Sequence, residues 1–185
     1  MRHIAMISAA ALMAACATDP VPSANMAQQS AMAPVTDAAH READADALQG
    51  LTRILIDAQE LYRDAAVEAE NETYTAELER LAAARAGMTE TFQTRIIQMG
   101  EPAPQEGQPL GSAHRAFMEA RTLGDEDTKA AVEEALRGEN YLADQMREEQ
   151  QNADLSVATR SFIAAQLASV EADRARLQAY ASTLQ

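Results

Sequence analysis

An all-α four-helix bundle is the fold class that the sequence predicts, and three observations carry the expectation. Ala is the dominant apolar residue, aromatics make up 4% and Trp is missing, a mix that suits close-packed helices better than a β-sandwich. Gly (7) and Pro (6) are scarce, so turn signals are few. Between the turn signals, apolar residues recur at helical spacing in four runs of about 25 residues, each long enough for about 37 Å of helix. The full length of 185 residues suits one domain with appendages.

The first helix is expected over about 45–69, where Leu48, Leu51, Ile54, Leu55, Ala58, Leu61, Tyr62 and Ala65 share one face. Asn71 then caps a second helix over about 72–99, whose stripe runs through Tyr74, Leu78, Leu81, Met88, Phe92, Ile96 and Met99. Gly100 and Pro102 stop it. A Pro/Gly-rich stretch from Glu101 to Gly111 leads to a short helix over 112–123, closed by Gly124 and Asp125. The third helix is expected over about 126–151, with Val132, Ala135, Leu136, Leu142, Ala143 and Met146 inward. With Asp154 or Ser156 as cap, the fourth runs to about 183 through Ile163, Leu167, Val170, Leu177 and Ala181.

Connection lengths set the topology. The first and third connections have only a few residues and force antiparallel hairpins, whereas the second has about 25 and can travel the length of the bundle. The second and third helices would then run parallel, which is the ferritin-like connectivity with a long crossover carrying a short extra helix. Three motifs also stand in order along this domain: Asp57-x-x-Glu60-x-Tyr62-Arg63, Gly111-Ser112-Ala113-His114-Arg115-Ala116-Phe117 and Arg137-Gly138-Glu139. Over about residues 46–182 they resemble a bacterial family of ferritin-like four-helix bundles of unknown function, in which Trp is usual where this chain has Phe117. The resemblance implies the fold and no chemistry.

The N-terminal part reads differently. Arg2 and His3 precede an uncharged, mostly apolar run from Ile4 to Ala15, too short for a bilayer span of about 20 residues but suited to a signal peptide. It ends in Leu12-Met13-Ala14-Ala15-Cys16, which resembles a lipoprotein lipobox, with Met13 where Leu is usual. That resemblance implies removal of residues 1–15 and lipidation of Cys16, the only Cys in the chain. Ala17 after the Cys favours, by the same resemblance, sorting to the outer membrane, on the periplasmic face of the envelope. Residues 17–44 hold Pro20, Pro22 and Pro34 among small polar residues with no apolar period, the composition of a disordered tether. The folded domain would span 45–183.

A formal charge of −14 argues against nucleic acid, and a single Cys excludes a disulfide framework or a Cys-rich zinc site. The chemistry worth weighing lies on the apolar faces, where Tyr62, Arg85, Glu139 and Arg174 form a candidate buried polar cluster. Arg85 and Glu139 stand near the middles of two parallel helices and should share one level, with Arg174 about one turn away. Ferritin-like proteins place two metals there, held by Glu and Glu-x-x-His. Here the corresponding positions read Ala58, Ala82-x-x-Arg85, Glu139 and Glu171-x-x-Arg174. The three His residues (His3, His40 and His114) lie outside the four long helices, and Arg cannot ligate a cation.

No metal and no cofactor are therefore expected. The cluster reads either as a structural ion pair or as a site offering Arg85 and Arg174 to a small anion. His114 reads as a surface or capping residue and Glu60 as solvated. No phosphate loop, nucleophile elbow or Ser-His-Asp arrangement is present. The expected function is a non-catalytic, envelope-anchored lipoprotein serving as an interaction or stress-related module. The alternatives are a metal-binding oxidase with atypical ligands and a binder of small anions. Its expected partner is the membrane, through the anchor. No feature singles out a protein partner, and the acidic surface leaves a homo-oligomer open.

Overall fold

A computed structural model describes residues 39–108 and 127–184. Four helices form the bundle: α1 (Arg41–Glu68), α2 (Glu72–Gln98), α3 (Asp127–Gln151) and α4 (Val157–Thr183). The expected signal peptide, Cys16, most of the expected tether, and the short helix expected over 112–123 lie outside the described residues. Among the described residues no helix is long and apolar enough to cross a membrane.

Capping explains where the helices begin. The Asn71 side chain accepts the Thr73 N–H at the start of α2, and Ser156 accepts the Thr159 N–H at the start of α4, so Ser156 takes the cap rather than Asp154. At the far end of α2, Gly100 takes φ 86°, the left-handed turn that ends a helix with least strain in glycine. The first helix starts four residues before the sequence places it. Asp44, assigned to the tether by composition, is fully buried because its Oδ1 accepts the backbone N–H of Ser156 at 2.8 Å.

Contacts at the two ends fix the directions. At one end the Glu70 N–H donates to Thr128 Oγ1 (3.1 Å), and at the other Asp44 meets Ser156, so α1 and α3 are antiparallel. Tyr74 lies edge-on to Tyr180 with centroids 5.6 Å apart, and Phe92 to Phe162 at 4.9 Å, so α2 and α4 are also antiparallel. With both hairpins tight, α2 and α3 run parallel. The connection leaving α2 turns back along the outside of α1 and α2, where Gln49 and Gln93 donate to the carbonyls of Pro102 and Pro104. It reaches Asp57, whose Oδ2 accepts the Gln108 N–H at 2.9 Å. At Gly107 a Cβ would stand 2.0 Å from Asp57 Oδ1, so a larger residue there would displace that carboxylate from the Gln108 N–H.

The core divides in two. Leu48, Leu51, Leu55, Phe92, Ile96, Leu142, Met146, Phe162 and Ile163 belong to one apolar cluster. Ala58, Leu61, Ala65, Leu78, Leu81, Ala82, Val132, Ala135 and Leu177 belong to the other, which is richer in alanine. Among residues expected inward, Tyr74, Leu136 and Ala181 are only partly buried at the edge of the second cluster.

Because Asp44 is the acceptor for a buried backbone N–H, Asp44→Ala should cost about 1–3 kcal/mol of stability. Urea denaturation followed by circular dichroism measures this, with Asp44→Asn, which keeps an acceptor oxygen, recovering part of the loss.

Candidate functional site

A plane of charge lies between the two apolar clusters, and all four helices contribute to it. Arg85 on α2 and Glu139 on α3 are both 0% exposed. The guanidinium grips the carboxylate through Nε to Oε1 (3.0 Å) and through Nη2 to Oε1 (2.8 Å) and Oε2 (2.7 Å). Such a charge-assisted, multidentate pair holds both distance and angle. Tyr62 of α1 donates its hydroxyl to Glu139 Oε1 at 2.6 Å, and Asp173 of α4 accepts from Arg85 Nη2 at 3.1 Å.

The network continues outward from Asp173. Its Oδ1 accepts from Arg80 Nη2 at 2.7 Å, and Arg80 also grips Glu77 through Nε (3.1 Å) and Nη2 (2.7 Å). Arg80 is partly open to solvent. A chain of alternating charge therefore runs from the surface of α2 to the phenol of Tyr62. Among the described residues Nη1 of Arg85 makes no hydrogen bond.

Protonation states follow from these contacts. Burial, assisted by the neighbouring Glu139 carboxylate, pushes the Tyr62 phenol well above its ordinary value, so it stays a neutral donor. Burial alone would lower the pKa of Arg85, but Glu139, together with Tyr62 and Asp173, outweighs it and the net shift is upward. Glu77, despite some burial cost, raises Arg80 together with Asp173. Both guanidiniums remain charged.

Backbone packing brings the groups this close. At Gly138 of α3, a Cβ would lie 2.9 Å from Leu61 Cδ2 and 3.4 Å from the Tyr62 hydroxyl. Its small size lets α3 approach α1 where Glu139 meets Tyr62. The motif Arg137-Gly138-Glu139 thus combines a close approach with a buried acid, while Arg137 pairs with the buried Glu134. Asp57, from the first motif, holds the returning connection, and Glu60 is half-buried rather than solvated.

Of the residues read from the sequence, Tyr62, Arg85 and Glu139 are brought together, whereas Arg174 is not. Its Nε is buried, but its head reaches outward to Glu171 (Nη2, 2.6 Å) and toward Asn140 Oδ1 (3.4 Å), leaving the side chain 35% exposed. The helical wheel placed its Cα near the core correctly; a long stem then carries the charge out of the apolar seam. Asp173 takes the inward place instead, drawn by two guanidiniums of α2. Its spacing three residues after Val170 and four before Leu177 was the signal that could have found it. Cys16 and His114 lie outside the described residues, and His40 sits by the third connection, with Nδ1 2.8 Å from the Asp154 carbonyl oxygen.

The donor set does not fit a two-metal centre. Both Glu139 oxygens are engaged by Arg85, Ala58 and Ala82 offer nothing, and Glu171 pairs with Arg147 and Arg174 at the surface. Among the described residues no group of three His, Cys, Asp or Glu is placed to hold a metal ion. Nor does the Arg85/Arg174 pair exist as an anion site, because Arg85 is neutralised by two carboxylates and Arg174 is elsewhere.

Fold and site together define a four-helix bundle cross-braced by a buried ionic network. The chain belongs to a family described as a domain of unknown function (DUF2383), whose model matches residues 44–151, more than half of the chain. The match covers Tyr62, Arg85 and Glu139 but ends before Asp173. No curated protein and no solved structure matches the chain.

Removing one member of the pair should be severe and removing both should not. Glu139→Ala leaves Arg85 with Asp173 alone in the core and should cost about 3–5 kcal/mol. The double change Arg85→Met with Glu139→Leu should cost well under the sum of the two single losses, since Asp173 keeps Arg80. Urea denaturation of the three variants measures the coupling; additive effects below about 1 kcal/mol would be those of a solvated pair.

Proposed function

We propose that this protein is a non-catalytic, envelope-anchored lipoprotein whose ferritin-like four-helix bundle serves as an interaction or stress-related module. One observation carries the non-catalytic part: the polar centre of the bundle is closed on itself. Glu139 is taken by Arg85 and Tyr62, and Arg85 by Glu139 and Asp173. A general acid or base needs a proton it can exchange with a substrate, and a metal site needs lone pairs that are free. Neither need is met by these groups.

The anchoring part rests on Leu12 to Cys16, whose order resembles a lipobox. A lipid on Cys16 and the proline-bearing stretch after it would hold the bundle off the periplasmic face of the outer membrane. The acidic surface, with a formal charge of −14 over the chain, favours protein partners over anionic polymers.

Cys16→Ala should move the protein from the membrane fraction to the soluble fraction, or leave it unprocessed, with its helical circular dichroism unchanged. Mass spectrometry of the native N-terminus should show the acylated Cys16. Membrane association that survives the substitution overturns the anchor. Elemental analysis of protein purified without a His-tag should find far less than one metal per chain; one or more would restore the metal-binding alternative.

A further inference from the structure

Along one flank of the bundle α2 and α4 stand apart, meeting more loosely than the members of either hairpin. A groove of about 400 Å³ opens there, with Gly87, Thr91, Thr94 and Gln98 of α2 as one wall and Phe162 of α4 reaching it from the other side. Gly87, Thr94 and Gln98 are exposed, and a Cβ at Gly87 would meet nothing within 4 Å. Glu90 and Arg95 also line the groove with opposite formal charges, so its lining carries no net charge. From Gly87 to Gln98 the wall runs about 16 Å, the span of about five residues of extended, proline-bearing chain.

The molecule holds one such chain already. The connection leaving α2 lies along the helices because glutamines on their faces donate to its carbonyls, Gln49 Nε2 to Pro102 at 3.0 Å and Gln93 Nε2 to Pro104 at 2.7 Å. Proline suits this arrangement, since its fixed φ keeps the chain extended while its carbonyl stays free to accept. In the α2/α4 groove Gln98 and the hydroxyl of Thr94, one turn apart, offer the same kind of donor.

A second proline-bearing stretch ends beside this groove. The described chain starts at Ala39, and the start of α1 lies at the same end of the bundle as Gln98, the last residue of α2. His40 there stands 2.8 Å from the carbonyl oxygen of Asp154, in the connection that leads into α4. Just before it comes Ala31-Met32-Ala33-Pro34-Val35-Thr36, and the whole stretch from Pro20 to Thr36 holds no charged residue. Asp37 and Ala38 give the chain about 10 Å of reach toward the mouth of the groove. A neutral segment adds no like charge to a chain of formal charge −14, whereas a second copy would bring that charge with it.

We infer that residues 31–36 of this chain dock in the α2/α4 groove, their backbone accepting from Gln98 and Thr94, with Val35 beside Phe162. If Cys16 is lipidated, docking leaves only residues 17–30 between the anchor and the bundle, so the groove sets how far the bundle stands from the membrane. The contact itself does not depend on the anchor.

Double electron–electron resonance tests this on the full chain carrying Cys16→Ala, which removes the only native Cys. Nitroxides go on Gln29→Cys, just before the segment, and on Ala83→Cys, exposed on α2 one turn beyond Gly87. A docked segment should give one narrow distance distribution below about 20 Å; a free one, held only at the far end of α2 about 22 Å from Ala83, gives a broad distribution about that longer distance. Thr94→Trp, at an exposed position, should fill the groove and broaden the distribution. The inference is overturned by a broad distribution with the groove intact, or by a narrow one that survives Thr94→Trp. It is equally overturned by a narrow distribution that disappears when labelled chains are diluted into unlabelled ones, which makes a second copy the occupant.

Discussion

The grip of Arg85 on Glu139 is the constraint around which the bundle is arranged. A guanidinium and a carboxylate in an apolar core each carry a desolvation cost of several kcal/mol, which only close, multidentate contact can offset. Contacts of 2.7–3.0 Å supply it, and they exist only when α2 and α3 stand at one relative height. A slip by one helical turn, about 5.4 Å, would separate the charges. Apolar packing alone is less strict, since alanine-rich faces such as those around Ala58, Ala82 and Ala135 fit each other in several registers. The pair thus selects one register, with Tyr62 and Asp173 tying the remaining helices to it.

Much of this was legible in the chain. The long helices follow from apolar spacing, and Asn71, Gly100 and Ser156 mark boundaries because their conformations and side chains do local work. Parallel α2 and α3 followed from loop length alone, and with it the shared level of Arg85 and Glu139. What the pattern hid depends on where a side chain ends and not on where it starts. Arg174 begins near the core and its charged end leaves it, while the shorter Asp173 beside it stays inward on Arg85. Asp44 looked like tether because one acidic residue beside a low-complexity stretch carries no period; its partner is a backbone N–H contributed 112 residues later. Arg95 of α2 was passed over although its place three residues after Phe92 and four before Met99 puts it on the inward face, where it is buried.

The motif residues have different occupations from those their residue types suggest. Asp57 secures the connection that returns along α1, and Gly107 leaves room for its carboxylate. Gly138 serves the spacing of α1 and α3. These are architectural tasks, and they account for motif residues without invoking a reaction. A chain can keep an acid, a phenol and a guanidinium at the centre of a bundle for the sake of its geometry.

A polar centre built this way also restricts how the sequence can drift. Substituting one partner alone passes through a protein whose ratio of folded to unfolded chains falls by on the order of a hundredfold or more. Substituting both at once needs two simultaneous codon changes, even though the apolar product would fold. Arg85 and Glu139 therefore sit in a mutational trap, stable against single steps whatever the protein does. Their persistence among descendants of this chain would record the ruggedness of the path between two good cores, and would be poor evidence for a ligand at that position.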